Sequence, residues 1–163
     1  MKVAIKRISS NPLGLLGLCL VTLMVVSALG ASIFSPYDPI QLNIMDRLQG
    51  PSANHLLGTD QLGRDLFSRV LFGGQVALKV AFLTIGLALI VGIVLGLIAG
   101  YGPAWLDNSI MLLFDTIRSV PTIMLALAAV AVVGPSITTV IFVIAVSSIP
   151  NYGRIVRTQT LTI

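Results

Sequence analysis

Three long stretches without a charged side chain constrain the fold of this chain more than any other feature. Residues 8–37, 80–106 and 119–153 contain no Lys, Arg, Asp or Glu. A helix needs roughly 20 apolar residues to cross the hydrocarbon of a bilayer, which is about 30 Å thick. Over all 163 residues 56% are hydrophobic and 10% are charged, whereas soluble domains carry about a quarter charged residues. The sequence therefore predicts an all-α membrane protein.

The apolar stretches predict four transmembrane helices. We place these spans at 13–34, 80–100, 110–133 and 136–156. The basic N-terminal segment 1–12 predicts a cytoplasmic N-terminus, and Arg154 and Arg157 predict a cytoplasmic C-terminus, because basic residues are enriched on the cytoplasmic side. A signal peptide cleaved near Gly30 is an alternative for the first span. The apolar run continues to Phe34, which favours an uncleaved anchor.

The third and fourth spans come from dividing the stretch 119–153. A single helix of that length would rise about 52 Å, which is too long for one crossing without extreme tilt. Gly134-Pro135 is typical of one helix ending and another beginning. Each half is short, so the third span has to begin near Ile110. A re-entrant hairpin over 119–153 is the alternative.

That extension brings two ionisable side chains, Asp115 and Arg118, into the membrane or its headgroup zone. They are three positions apart on a helix, so we expect them to face the same way and pair. One interpretation is a gate or lining element of a substrate path, and the other, which we favour, is an interfacial pair that fixes helix tilt. Pro121 should kink the helix one turn later. Asp115, Arg118 and Pro121 are the candidate translocation-path or gating residues.

Residues 35–79 predict an external loop that contains one amphipathic helix. The segment 60–71 places apolar side chains on one face and polar side chains on the other, as in a helix at a membrane surface or under a partner. Thr59 or Asp60 could cap its start, and Gly73-Gly74 should separate it from the second span. Two acid–base pairs at the favourable spacing of four support this helix: Asp60 with Arg64, and Asp65 with Arg69.

Small side chains recur at every fourth position along the second span. These residues are Thr84, Ala88, Gly92, Gly96 and Gly100. A stripe of small residues lets another helix approach closely, and this is how helices associate where lipid removes the hydrophobic drive. We call these five residues the small-residue ridge and predict that it packs against another helix.

The remaining composition predicts no catalytic residue, no metal site and no cofactor. Cys19 and His55 are the single residues of their types, so neither a thiolate nor a histidine cluster is available. No phosphate-binding loop ending in Lys-Ser/Thr occurs, which indicates that the chain does not hydrolyse ATP. Paired acids and a Ser/Lys dyad are also missing, which makes an intramembrane enzyme improbable. Half of the basic residues lie at the two ends, so we expect no nucleic-acid partner.

The run HLLGTDQLGRDLFSR at 55–69 closely resembles the segment after the first span in one permease family. It is similar to the C-type membrane subunit of the dipeptide/oligopeptide/nickel ABC importers. The sequences SPYDP at 35–39 and YGRIVR at 152–157 agree with this family, as do Pro121 and Gly134-Pro135, whereas Gln75 replaces a residue that is often basic. The family-motif residues are Gly58, Thr59, Asp60, Gly63, Arg64, Asp65, Ser68 and Arg69.

The resemblance implies part of a type I ABC importer transmembrane domain, beginning near residue 80, in a bacterial or archaeal cytoplasmic membrane. The partners would be a second homologous permease subunit, two ABC ATPase subunits that bind ATP, an extracytoplasmic substrate-binding protein, and membrane lipid. Transport would proceed by alternating access. The substrate would be a dipeptide, an oligopeptide, a glutathione-like molecule or chelated nickel, and the residues do not distinguish these.

The family continues beyond the fourth span into a cytoplasmic coupling helix and two more spans. This sequence ends at Ile163, before that helix, so we expect it to be the N-terminal portion of a longer permease. The alternative function is a small structural or assembly protein that oligomerises through the small-residue ridge.

Overall fold

A computed structural model of the chain describes residues 11–162, and these form an α-helical structure without a regular strand. The predicted cytoplasmic residues Lys2, Lys6 and Arg7 lie outside the described residues. Six α-helices are present in the described part: α1 (Pro12–Leu29), α2 (Ala31–Phe34), α3 (Leu66–Tyr101), α4 (Ala104–Ser119), α5 (Thr122–Val133) and α6 (Ile137–Thr160). One short 3-10 helix, Ile44–Asp46, lies in the connection between α2 and α3.

Apolar composition and length allow three of these helices to cross a membrane. They are α1, α3 and α6. A fourth crossing results if α4 and α5 together form one span, although their axes differ by 84° across the break between them. The four predicted spans correspond in position to these helices, and the described residues hold no other helix long and apolar enough to span. The number of spans and the N-in/C-in orientation stay predictions.

The chain divides into two compact units, one ending at Leu78 and one beginning at Lys79. In the first unit α1 begins with Asn11, whose side chain accepts a hydrogen bond from the Leu13 N–H (3.1 Å), and with Pro12 at the first helical position. Both features favour a helix start. Ala28 of α1 is buried, and a Cβ placed on Gly74 would lie 3.2 Å from the Ala28 Cβ. Absence of a side chain at Gly74 therefore permits close contact with α1.

The predicted external amphipathic helix over 60–71 is wrong. Residues 61–64 form a turn, α3 begins only at Leu66, and it continues without interruption through Gly73-Gly74 to Tyr101. The turn forms because Asp60 Oδ1 accepts hydrogen bonds from the Leu62 N–H (2.8 Å) and the Arg64 N–H (3.0 Å), and Gly63 has φ +72, which a helix cannot contain. In an apolar helix the Gly73-Gly74 backbone groups gain nothing by leaving the helix, because lipid offers them no other partner.

The predicted third span over 110–133 is two helices rather than one. α4 ends at Ser119, Val120 and Pro121 are extended, and α5 begins at Thr122. Pro121 has no N–H to donate, and its ring disfavours a helical conformation at Val120, so a break is expected there. The division at Gly134-Pro135 agrees with the structure, since Gly134 has φ +97 and the Ser136 side chain caps α6 by accepting from the Thr139 N–H (3.0 Å).

Within the second unit α3 packs closely on α6. A Cβ on Gly92 would lie 2.9 Å from the Tyr152 Cβ. On Gly96 it would lie 2.8 Å from the Val156 Cβ, and on Gly100 2.7 Å from the Thr160 Cβ. The contacts advance along both helices in the same direction, so α3 and α6 run parallel and their C-terminal ends lie on the same side.

A small apolar core lies beside this contact. Its buried members are Ala88, Ala99, Ile110, Phe114 and Ile149. Phe114 of α4 is fully buried and its ring lies against Gly153 of α6, so the same region of α6 contacts α3 on one side and α4 on another.

Candidate functional site

Three polar contacts join α4 to α6, and the one made by Arg118 lies beside the break at Pro121. Arg157 donates from Nε to Asp107 Oδ1 and from Nη2 to Asp107 Oδ2, both at 2.5 Å. Arg154 pairs with Asp115. Arg118 Nη1 donates to the Asn151 side-chain oxygen at 2.7 Å. The expected pairing of Asp115 with Arg118 is therefore wrong, because each of these residues has a partner on α6 instead.

The third of these contacts borders a polar cleft. Its volume is about 260 Å³, and it is lined by Ile117, Arg118, Val120, Pro121, Thr122, Ser147 and Asn151. The cleft exists because the chain turns sharply between α4 and α5, which leaves an opening beside α6. Two of the three candidate path residues, Arg118 and Pro121, line it, whereas Asp115 does not.

The family-motif residues have a different place, in the first unit, where they hold the loop to the start of α3. Asp65 Oδ2 accepts hydrogen bonds from both the N–H and the hydroxyl of Ser68 (2.7 Å each), and Asp65 Oδ1 lies 3.0 Å from His55 Nδ1. All three side chains are buried. The Tyr37 ring lies 4.9 Å from the His55 ring, centroid to centroid, and the Tyr37 N–H donates to Ser68 Oγ (3.3 Å).

Asp65 is therefore not the partner of Arg69 that the spacing predicts. Burial raises the pKa of the Asp65 carboxyl, but the hydrogen bonds from Ser68 and His55 outweigh this effect and leave the pKa below its ordinary value. The carboxylate caps the first turn of α3, and His55 connects it to the loop. His55, the single histidine of the sequence, is a buried member of this network.

A second carboxylate, Asp60, closes the turn that precedes α3. It pairs with Arg64 as predicted, at 2.7 Å to Nη2, and also with Arg69, whose Nη1 lies 3.5 Å from Oδ2. Burial raises the pKa of Asp60, but hydrogen bonds from the N–H groups of Arg64 and Leu62 and the charge of Arg64 lower it to about 2.

Glycine is required twice in this region. Gly58 and Gly63 have φ +76 and +72, and a side chain on either would meet backbone of the 43–51 segment, at the carbonyls of Gln49 and Asn43 respectively. Thr59 holds the same segment, because its hydroxyl donates to the Asp46 carbonyl and accepts from the Gln49 N–H (2.9 Å). The motif therefore works as a structural unit that fixes the loop.

None of these arrangements forms a metal centre in the part of the chain that the structure describes. Over residues 11–162 no group of three or more His, Cys, Asp or Glu side chains is placed to hold a metal ion. Ser68 bonds to Asp65 and not to His55, so the three residues lack the nucleophile-to-base contact of a catalytic triad.

Comparison with known proteins gives the chain its family. The model described as the N-terminal TM domain of oligopeptide transport permease C matches residues 1–51. The model described as the binding-protein-dependent transport system inner membrane component matches residues 92–163. The chain belongs to this family of permease C inner-membrane components.

Several curated relatives are similar to this chain over most of its length. The dipeptide transport system permease protein of Alkalihalophilus pseudofirmus is 39% identical over 160 residues, which are 98% of this chain and 53% of the relative. The glutathione transport system permease protein of Pectobacterium atrosepticum is 40% identical over 144 residues, 88% of this chain and 48% of the relative. The di/tripeptide transport system permease protein of Pseudomonas aeruginosa is 39% identical over 152 residues, which are 90% of this chain and 50% of the relative.

The chain spans about half the length of the curated relatives that it matches. Its family is one of inner-membrane components, and its apolar helices are long enough to span, so its location is the inner membrane. The resemblance at 55–69 falls in the interval between the two matched regions. There the loop lies beside a pocket of about 210 Å³, whose lining includes Tyr37, His55 and Asp65.

Proposed function

We propose that this chain contributes walls of the translocation path in the permease of an ABC importer for small peptides. The observation that carries the proposal is the 39% identity over nearly the whole chain to a dipeptide transport permease. The other relatives described above are named for glutathione and for di- and tripeptides. Chelated nickel is a second substrate class of the resembling importers, and no similar protein named here favours it.

The geometry supports a path beside α4, α5 and α6. A polar cleft at a sharp helix break, among helices that are otherwise apolar, is the kind of irregular backbone that membrane proteins place along a cavity. The α4–α6 contacts are discrete hydrogen bonds and ion pairs that could exchange partners between two arrangements, as alternating access requires. Arg118 and Pro121 are the lining residues, and Asp115 positions Arg154.

The importer would include a second related permease subunit, two ATPase subunits that bind ATP, and an extracytoplasmic binding protein. The loop fixed by the family motif is on the same side as the binding protein in the predicted N-in/C-in orientation. In this proposal the chain itself performs no catalysis.

The alternative, a structural protein that oligomerises through the small-residue ridge, has less support. Gly92, Gly96 and Gly100 face α6 of the same chain, so this part of the ridge offers no free surface to a second molecule.

Transport by the reconstituted complex tests the proposal. The permease that contains this chain would be purified with its partner permease, ATPases and binding protein, placed in vesicles, and supplied with ATP and labelled Ala-Ala, glutathione or chelated nickel. We expect ATP-dependent uptake of a peptide. A chain that co-purifies only with itself, or a complex that takes up none of the three, would contradict the proposal.

A further inference from the structure

Arg118 differs from the other two cations between α4 and α6 in the partner it has. Arg154 and Arg157 each face a carboxylate, Asp115 and Asp107 respectively. Arg118 donates instead to the neutral amide of Asn151, and its positive charge has no carboxylate within 4 Å among the described residues. In two of the three contacts the positive charge is thus balanced by a carboxylate, whereas the contact of Arg118 with Asn151 carries a net positive charge.

The guanidinium of Arg118 also has unused donors. It carries five N–H groups in a fixed planar array, and among residues 11–162 only the Asn151 oxygen accepts from it. No acidic residue lines the cleft, whereas the hydroxyls of Thr122 and Ser147 do. The cleft therefore presents a positive charge and two further hydrogen-bonding groups without any negative charge.

This combination selects for a small anion with hydrogen-bonding oxygens. The planar guanidinium matches a carboxylate in a bidentate geometry, and hydrogen bonds between charged groups are about twice as strong as neutral ones. Arg118 and Asn151 are both exposed, so a carboxylate that enters the cleft can reach the unused N–H groups of the guanidinium. A peptide amine would find no compensating charge here.

We propose that the cleft at the α4–α5 break binds the free carboxylate of a peptide in transit, with Arg118 as the main ligand and Thr122, Ser147 and Asn151 around it. This assignment rests on the proposed function. The site would then require a free carboxylate in its ligand, a group that dipeptides, tripeptides and glutathione share.

Protection of an introduced cysteine tests the site without measuring transport. In the assembled complex in phosphatidylcholine nanodiscs, Cys19→Ser removes the one thiol within residues 1–163 and Ser147→Cys places a thiol at the cleft. The rate of maleimide alkylation would be compared with no ligand, with Ala-Ala, and with the amide of Ala-Ala, which lacks the carboxylate. Ser148→Cys, at a similarly half-buried position outside the cleft lining, is the matched control.

We expect Ala-Ala to slow alkylation at position 147 and the amide to have little effect, with no change at position 148. In Arg118→Gln the Ala-Ala concentration needed for protection should rise about tenfold or more, since a hydrogen bond to a charged group contributes at least that factor. Arg118→Lys keeps the charge but not the planar donors and should fall between the two. It also serves as the second variant if Arg118→Gln fails to assemble.

Equal protection by Ala-Ala and its amide, protection unchanged in both Arg118 variants, or no protection at all would overturn the assignment. So would protection that needs phosphatidylglycerol in the nanodisc and not the peptide, because the anion would then be a lipid headgroup. Co-purification of the partner subunits and ATP-dependent uptake by the complex with native Arg118 are measured separately. Their failure would contradict the importer, whereas their success with a failed protection experiment would contradict only this site.

Discussion

At the scale of single residues, the loop before α3 depends on carboxylates that are held ionised. Asp60 accepts hydrogen bonds from two backbone N–H groups and pairs with two arginines. Asp65 accepts hydrogen bonds from the N–H and the hydroxyl of Ser68, and its other oxygen lies 3.0 Å from His55 Nδ1. Each closes a backbone feature that would otherwise leave polar groups without partners, so the negative charges have a structural rather than a catalytic use.

Acidification should therefore open the Asp60 turn. The pKa of Asp60 is lowered from 3.8 to about 2, so its contribution to stability is complete above its ordinary pKa and is lost as the pH falls through its folded value. We expect pepsin cleavage near the turn to increase as the pH falls from about 4 to about 2. In Asp60→Asn the turn should already be cleaved at the upper pH. Cleavage of the native protein that stays constant over this range would contradict the role of the charge.

At the scale of helices, the small-residue ridge determines how closely α3 and α6 approach. The positions where Cβ atoms would collide are Gly92, Gly96 and Gly100, whereas Gly86 on the same helix has nothing within 4 Å of an added Cβ. The chain thus contains both a sensitive position and a neutral one in the same apolar helix.

Gly96→Leu should separate the helices and Gly86→Leu should not. A leucine at position 96 would meet the Gly153 carbonyl and Val156, and forcing a side chain into a packed contact costs about 1–3 kcal/mol. We expect a clear fall in the thermal stability of the detergent-solubilised complex, followed by fluorescence-detected size exclusion. A similar fall for both variants would indicate a general effect of leucine rather than loss of a specific contact.

The sequence predicted the helices better than it predicted their partners. The apolar stretches and the signals at Pro121 and Gly134-Pro135 are local, and the structure has helix ends at these places. The turn at 61–64 and the uninterrupted α3 were missed, because amphipathic spacing also fits a turn followed by a helix start. In addition, the usual cost of about 1 kcal/mol for a glycine inside a helix does not break an apolar one.

The side-chain partners were missed for a different reason. Asp115 with Arg154, Arg118 with Asn151, and His55 with Asp65 join residues whose contact depends on how the chain folds back. Local spacing favoured Asp115 with Arg118 and Asp65 with Arg69, and in both cases the tertiary structure supplied another partner. The sequence at the α4–α5 break gave one usable signal, an arginine three residues before a proline.

At the scale of the whole molecule, the ion pair of Asp107 with Arg157 fastens the beginning of α4 to the end of α6. It is bidentate, and both side chains are mostly shielded, with 18% and 29% of their surface exposed. A pair of this kind is more favourable than an exposed ion pair, because both hydrogen bonds are charge-assisted and aligned.

A double-mutant cycle should show the coupling. Asp107→Asn and Arg157→Gln should each lower the free energy of unfolding, and the double variant should lose less than the sum of the two. Denaturant titration of the solubilised protein measures all four members of the cycle. Strict additivity would mean that the pair does not hold α4 against α6.

The parallel packing of α3 and α6 has a consequence for biosynthesis. Two antiparallel helices can pack as soon as the second one has been synthesised. Two parallel helices can pack only after the chain between them has returned to the side on which the first helix begins. The glycine face of α3 therefore stays open to lipid until the ribosome has completed α6. During that interval the nascent chain exposes the surface that later packs on α6. Insertion factors that cover this surface would have their greatest effect then.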